Sequence, residues 1–196
     1  MNLPLPQWDV QQLASIRAYM AQSSTARLGL PVFEYLTLAR IHRMESHQQR
    51  DTHINDVIAL LELQELATMP IDRLSGGEFQ RVELARAWCQ LTETDGVKDK
   101  LLILDEPSSA LDINQTQRLY RNLRRFSDSG GTIIVVEHDI NQAARFCDQM
   151  LMLKQGTLVS AGDITTTFTA QNINQCFSVN GRTLVDIETD TISFNL

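Results

Sequence analysis

Residues 101–112 read LLILDEPSSALD, an aliphatic run that stops on two adjacent carboxylates, Asp105 and Glu106, and then turns at Pro107. A short apolar run of this kind, rich in Leu and Ile, predicts a buried β-strand. A buried strand has little reason to end on two uncompensated acids unless a bound cation or a reacting water uses them. The segment therefore predicts the carboxylate end of a nucleotide-hydrolysing site. Such sites also use a phosphate loop, GxxxxGK[ST]. None of the 9 glycines is followed by lysine, and the lysines are Lys98, Lys100 and Lys154. The sequence holds only part of a nucleotide site.

The flanking pattern sets the fold class. Ser75 predicts the cap of a helix whose Val82, Ala85 and Cys89 share a face, and the polar stretch 92–100 leads to the strand at Leu101. Asp112 caps a second helix with Ile113, Thr116, Leu119 and Leu123 on one side, closed by Ser129, Gly130 and Gly131. Residues 132–137 form a β-branched apolar strand of the kind buried on both faces. Asp139 caps a third helix running to Cys147. Strands joined by helices predict an α/β fold with a mainly parallel sheet and right-handed crossovers. Upstream, Ile54, Val57, Ile58 and Leu61 recur at helical spacing and 32–41 reads as another helix, so the first third is helical. Downstream, 150–154 and 157–161 flank Gln155 and Gly156 as a hairpin. The tail 180–196, alternating through Leu184, Val185, Asp186, Ile187 and Glu188, predicts a small β addition.

Composition narrows the function classes. The longest apolar runs, 101–104 and 133–136, fall far short of the roughly 20 residues of a membrane span. The start, MNLPLPQWDV, lacks the basic and apolar segments of a secretory signal. A net charge of -7 disfavours nucleic acid as a partner, because neutralising phosphates takes a clustered basic surface. The local cluster Arg118, Arg121, Arg124 and Arg125 reads as a solvated helix face rather than a phosphate patch. Cys89, Cys147 and Cys176 lack metal-ligand spacing and read as buried or partly buried thiols in a reducing compartment. His42, His47 and His53 lie in a polar stretch and read as solvated.

The second informative segment is 74–81, LSGGEFQR. A serine and two glycines before a helix leave backbone N–H groups open to a phosphate, where the helix N-terminus favours negative charge. Order strengthens the reading: the Ser75-Gly76-Gly77 loop, its helix, the strand ending in Asp105 and Glu106, then a strand ending near His138. Asp105 suits Mg²⁺, a cation that prefers hard oxygen ligands. Glu106 suits the orientation or deprotonation of an attacking water. His138, on a rigid support, suits a hydrogen bond to a γ-phosphate oxygen. Gln22, an amide before a polar stretch, could ligate Mg²⁺ or sense the γ-phosphate.

LSGGEFQR, LLILDEPSSALD and IIVVEHD together resemble the signature motif, the Walker B strand with its D-loop, and the switch histidine of ATP-binding cassette (ABC) ATPases. The resemblance covers nearly the whole chain, with Gln22 matching the Q-loop. It implies a P-loop NTPase (RecA-like) core whose N-terminal phosphate-loop part is missing. The implied division is a core remnant at 1–27, a helical subdomain at 28–91, the core at 92–165 and a β tail at 166–196. It also implies ATP and Mg²⁺ as cofactors, Asp105 and Gln22 at the metal, Glu106 as catalytic base and His138 on the γ-phosphate. Ser75, Gly76, Gly77 and Glu78 would face ATP held by a second ATPase subunit in a head-to-tail homodimer. The loop from Ser109 to Asp112 would cross the dimer interface.

Within the family, the segments 4–22, 31–39 and 182–196 and the polar insertion 92–100 resemble importers of vitamin B12, haem and ferric siderophores, vitamin B12 foremost. The implied partners are transmembrane permease subunits and, indirectly, a periplasmic substrate-binding protein. The implied location is the cytoplasmic face of a bacterial inner membrane. Glu78 stands where many members carry Gln. The phosphate loop and the adenine-stacking aromatic should precede Gln22, where only 21 residues stand. The expectation is that Met1 is a truncation point and that this chain alone hydrolyses negligible ATP. A non-catalytic cassette lending its signature loop to a complete partner is the alternative of another class. A soluble cassette of the iron-sulfur assembly type is a third.

Overall fold

The computed structural model describes residues 4–22, 29–94, 96–186 and 191–196. Two compact units make up the chain, Met1–Val136 and Glu137–Leu196.

The first unit opens with α1 (Val10–Ile16), capped by the Asp9 carboxylate, and runs directly into β1 (Arg17–Met20). Three helices follow: α2 (Val32–Thr37), α3 (His47–Leu60) and α4 (Gly76–Leu91). Then come β2 (Leu101–Asp105), α5 (Ile113–Asp128) and β3 (Thr132–Val136). Each long helix begins where the sequence supplies a cap. Ser46 with Gln49, Ser75 with Glu78 and Asp112 with Gln115 form reciprocal capping boxes, in which each side chain satisfies the other residue's backbone N–H.

The strands lie in the order β1-β2-β3, all parallel, with Tyr19 beside Ile103 and Ile103 beside Ile134. Alternation along a strand gives the sheet two unlike faces. Ala18, Met20, Leu102 and Leu104 form the buried face, and α4 packs against β1. Each fully buried leucine of this kind contributes about 1.5–3 kcal/mol. Val82, Ala85 and Cys89 are buried on α4, and burial pushes the Cys89 thiol up to about 12. Trp88 meets the Phe126 ring of α5 edge-on at 5.0 Å.

Three expectations are corrected. The strand read as buried on both faces shows Ile134 and Val136 half exposed, at 51% and 49%. Ile134 and Val136 lie on the same face of the sheet as the exposed Tyr19, opposite the one that buries Ala18, Met20, Leu102 and Leu104. Ile113, placed on the apolar side of α5, is exposed because the first turn of the helix runs past the core that Leu119 and Leu123 enter. His42 also departs from the solvated reading. It is half buried, its Nε2 is enclosed, and desolvation, aided by Arg43 and Arg40, lowers its pKa.

The second unit comprises α6 (Ile140–Phe146), capped by Asp139, and the antiparallel pair β4 (Gln149–Lys154) and β5 (Thr157–Asp163). Gln155 and Gly156 join the pair with φ of 49° and 75°, the left-handed geometry of a tight hairpin turn. Two short helices, α7 (Ile164–Thr167) and α8 (Ala170–Phe177), precede a second hairpin of β6 (Arg182–Asp186) and β7 (Thr191–Asn195). Ile187 and Glu188, part of the predicted tail alternation, lie outside the described residues. Met152, Ile164, Phe168, Ile173 and Phe194 fill the core of this unit. Asn141 of α6 ties β7 down, its amide oxygen accepting from the Phe194 N–H at 2.6 Å.

Candidate nucleotide-hydrolysing site

In a parallel sheet the strands end together, and residues just past those ends converge. Gln22 lies two residues beyond β1 and Glu106 one residue beyond β2. The Gln22 Nε2 donates to Glu106 Oε2 at 2.5 Å. One step inside, the Tyr19 hydroxyl donates to Asp105 Oδ2 at 3.2 Å. Partial desolvation, then the hydrogen bond to Asp105 and its negative charge, raise the Tyr19 pKa above the ordinary phenol value. The sheet thus gathers Gln22, Asp105 and Glu106 at its carboxyl end, each acid facing a neutral donor from the β1 side.

Glu106 has an unusual backbone. Its φ is +49°, the left-handed region that residues with a Cβ enter at a cost. Its N–H donates to the Val136 carbonyl at 3.0 Å, and its own carbonyl accepts from the Ser109 N–H at 3.2 Å. A third contact comes from α4: the Gln80 Nε2 donates to the same Glu106 carbonyl at 3.1 Å, while Gln80 Oε1 accepts from the Ala110 N–H at 3.2 Å. The turn carrying the second carboxylate is therefore pinned from both sides.

The signature segment stands beside this turn. Ser75 caps α4 through its hydroxyl, and the Glu78 carboxylate accepts from the Ser75 N–H at 2.8 Å and its hydroxyl at 2.7 Å. These two bonds, the hydroxyl one foremost, hold the Glu78 pKa below the ordinary glutamate value. Gly76 and Gly77 are the first two helical residues, whose N–H groups have no acceptor within the helix. Gly77 has a packing reason as well. A Cβ there would lie 3.0 Å from Gln115 Oε1 and 3.3 Å from the Ala110 carbonyl. Asp112 closes the same loop as the cap of α5, its Oδ1 accepting from the Gln115 N–H at 2.8 Å.

His138 belongs to the second unit, exposed, one residue before the α6 cap Asp139. Sequence reasoning missed Tyr19 and Gln80. For Gln80 a signal existed: it falls on the apolar stripe completed by Leu84, Trp88 and Leu91, and a polar residue on such a stripe needs buried partners.

The chemistry of this set fits a Mg²⁺-nucleotide: hard carboxylate and amide oxygens at a strand end, with open N–H groups at a nearby helix start. Comparison with known proteins decides the family. The family model described as ABC transporter matches residues 4–109.

This chain belongs to the ABC transporter family.

Among relatives of this ABC chain, vitamin B12 import ATP-binding proteins BtuD of Escherichia coli O139:H28 and Shigella boydii serotype 18 are each 35% identical over 186 residues. Those matches span 94% of this chain and 72% of each relative. In structure, the chain is similar to a metal-chelate type ABC transporter in an inward-facing conformation, with a TM-score of 0.75 at 21% identity. That similarity covers 92% of this chain and 71% of the other. A dimeric bacterial ABC transporter cassette gives a TM-score of 0.67 at 25% identity, over 79% of this chain and 65% of the other. The α/β architecture is that of the ABC ATPases, and ATP is the nucleotide of the family.

Proposed function

We propose that this ABC chain serves as the ATP-hydrolysing subunit of a bacterial importer, with vitamin B12 as cargo. The hydrogen bond from Gln22 to Glu106 carries the reading, because it couples the residue leaving β1 to the carboxylate leaving β2. Glu106 takes the proton of the attacking water. The Gln22 Nε2 holds that carboxylate at Oε2, and the side-chain amide oxygen of Gln22 serves the metal. Asp105 is the principal Mg²⁺ carboxylate, oriented by Tyr19. Mg²⁺, when bound, offsets the charge of the β- and γ-phosphates. His138 contacts the γ-phosphate.

Ser75, Gly76 and Gly77 present the start of α4 to ATP held by a second subunit placed head to tail, and Glu78 fixes the serine that begins this surface. Ser109 to Asp112 lines the same interface. The 35% identity to vitamin B12 import ATP-binding proteins supports the cargo; haem and ferric siderophores are the nearest alternatives. Among the described residues no helix is long and apolar enough to cross a membrane. Permease subunits are the partners of the importer reading. Exposed Ile41 and Met44, beside a cavity of about 300 Å³ lined by Leu38, Ile41, Arg43 and Arg50, support a docking place for them. The assembly sits at the cytoplasmic face of the inner membrane, and a periplasmic binding protein is reached only through the permease.

The phosphate-anchoring lysine is not among the 196 residues, so the chain alone should bind Mg-ATP weakly. Micromolar affinity by calorimetry would overturn that expectation. Coding DNA upstream of Met1 offers the functional test. A chain extended by an in-frame GxxxxGK[ST] should hydrolyse ATP, and Glu106→Gln in it should keep ATP binding while turnover falls by about 10²–10⁴-fold. Unchanged turnover would remove Glu106 from the base role. Uptake of labelled cobalamin by cells carrying the complete gene, but not by cells lacking it, tests the cargo.

A further inference from the structure

A cavity of about 190 Å³ lies in the first unit, between the end of α3 and the flanks of α4 and α5. Its wall carries Arg81 from α4, Arg118, Arg121 and Arg125 from α5, and Glu62 after α3. Four guanidinium groups thus line one concavity with one carboxylate. The concentration contrasts with a chain whose net charge is -7.

Two observations separate this cavity from a solvated basic helix face. The spacing 118, 121, 125 puts three arginines on one side of α5, whereas Arg124 turns elsewhere and pairs with Asp128 at 3.2 Å. The second is Arg81, whose Nε is buried without a hydrogen-bond partner. A buried guanidinium N–H left unpaired costs free energy, which an anion that draws the Arg81 side chain towards the cavity would relieve. Glu62 pairs with Arg118 at 2.7 Å and fixes that side chain, leaving the surplus of positive charge on Arg81, Arg121 and Arg125.

We propose that this cavity binds a small soluble oligophosphate, an anion with two or more linked phosphate groups. Guanidinium groups arranged around a concavity suit it because each planar fork bonds two phosphate oxygens. A single phosphate would engage only part of the wall, so a di- or triphosphate chain binds more tightly than orthophosphate. The site lies outside the residues assigned to hydrolysis and holds whether or not the chain turns over ATP.

The test is calorimetry on the whole chain with inorganic tripolyphosphate and with orthophosphate at low and high salt. Saturable binding at one site is expected, tighter for tripolyphosphate and weakened by salt. Arg121→Gln alters an exposed residue and should weaken binding by about tenfold. Arg124→Gln removes the same charge from the same helix but outside the cavity, and should leave affinity within about twofold. Near-UV circular dichroism confirms that both variants fold. Equal weakening by the two variants would mean diffuse attraction and overturn the site. So would absence of saturable binding, or Arg121-dependent binding to phosphatidylglycerol vesicles without binding to tripolyphosphate.

Discussion

The Gln80 side chain bridges two backbone groups of the Walker B turn, donating to the Glu106 carbonyl at 3.1 Å and accepting from the Ala110 N–H at 3.2 Å. Gln80 is buried, so its side chain holds both bonds from the protein side of the turn. It acts on Glu106 by holding the left-handed turn that aims the carboxylate. Gln80→Leu fills the same space but leaves the Ala110 N–H without its acceptor and the Glu106 carbonyl with only its Ser109 donor, so stability should fall by about 1–3 kcal/mol in urea unfolding. Gln80→Glu keeps the acceptor for Ala110 and loses the donor to Glu106, and should fall between. A Gln80→Leu protein as stable as the parent would show that water replaces both bonds.

Gly131 closes α5 against the aromatic pair. A Cβ at this position would lie 2.2 Å from Phe126 Cε1 and 2.5 Å from Cδ1. Phe126 is fully buried and stacked edge-on with Trp88, so the ring has nowhere to retreat. Gly131→Ala should destabilise by about 1–3 kcal/mol through overpacking. Gly131→Ala with Phe126→Leu should recover part of the loss, since the smaller side chain clears the contact. Thermal unfolding of the single and double variants measures both, and additive losses would rule out the clash.

What could be read from the sequence follows from the range of each interaction. The helix starts at Ser75 and Asp112 were legible because a capping box lies within four residues and leaves a Ser-x-x-Glu or Asp-x-x-Gln trace. The strand at Leu101 was legible because its aliphatic run is local. The exposed face of β3 was not, because Ile134 and Val136 report that they prefer a strand, not whether anything covers the face on which they lie. Tyr19 and Asp105 are 86 residues apart and Gln22 and Glu106 are 84 apart. Such pairs leave no periodic mark, so the acids were visible as a motif and Gln22 by resemblance, while Tyr19 and the pairing of each donor with its acid emerged only from the register of β1 on β2.

Glu78 gives the α4 cap a dependence on pH. Its bonds from Ser75 hold its folded pKa below the ordinary 4.5. Stability from this group is therefore fully present above 4.5 and drains away as pH falls through the lowered folded value. Glu78→Gln keeps a side chain able to close the capping box but cannot ionise. The urea midpoints of parent and Glu78→Gln should differ at neutral pH and converge in acid. A difference that stays constant from neutral to acid pH would remove Glu78 ionisation from the cap.

Arg40 ties the end of α4 to Glu45 in the helical part of the first unit. It is 3% exposed, and its Nη1 donates to the Cys89 and Thr92 carbonyls at 2.5 Å and 2.8 Å. Those carbonyls belong to the end of α4, where acceptors lack helical partners and the dipole favours a cation. The Nε and Nη2 of the same guanidinium fork onto the Glu45 carboxylate at 2.7 Å and 2.6 Å, and Glu45 is held below its ordinary pKa chiefly by these bonds. Arg40→Met keeps the apolar stem but leaves Glu45 and both carbonyls without their donor, at a cost of about 3–5 kcal/mol. Arg40→Lys retains the charge and cannot reproduce the fork, so it should also destabilise, by less. Arg40→Met with Glu45→Met removes the stranded acid as well and should regain much of the stability, because replacing a buried pair is far less costly than breaking it. Urea unfolding of the three variants at pH 7 separates these outcomes. An Arg40→Met midpoint equal to that of the parent would show that the network contributes nothing to stability.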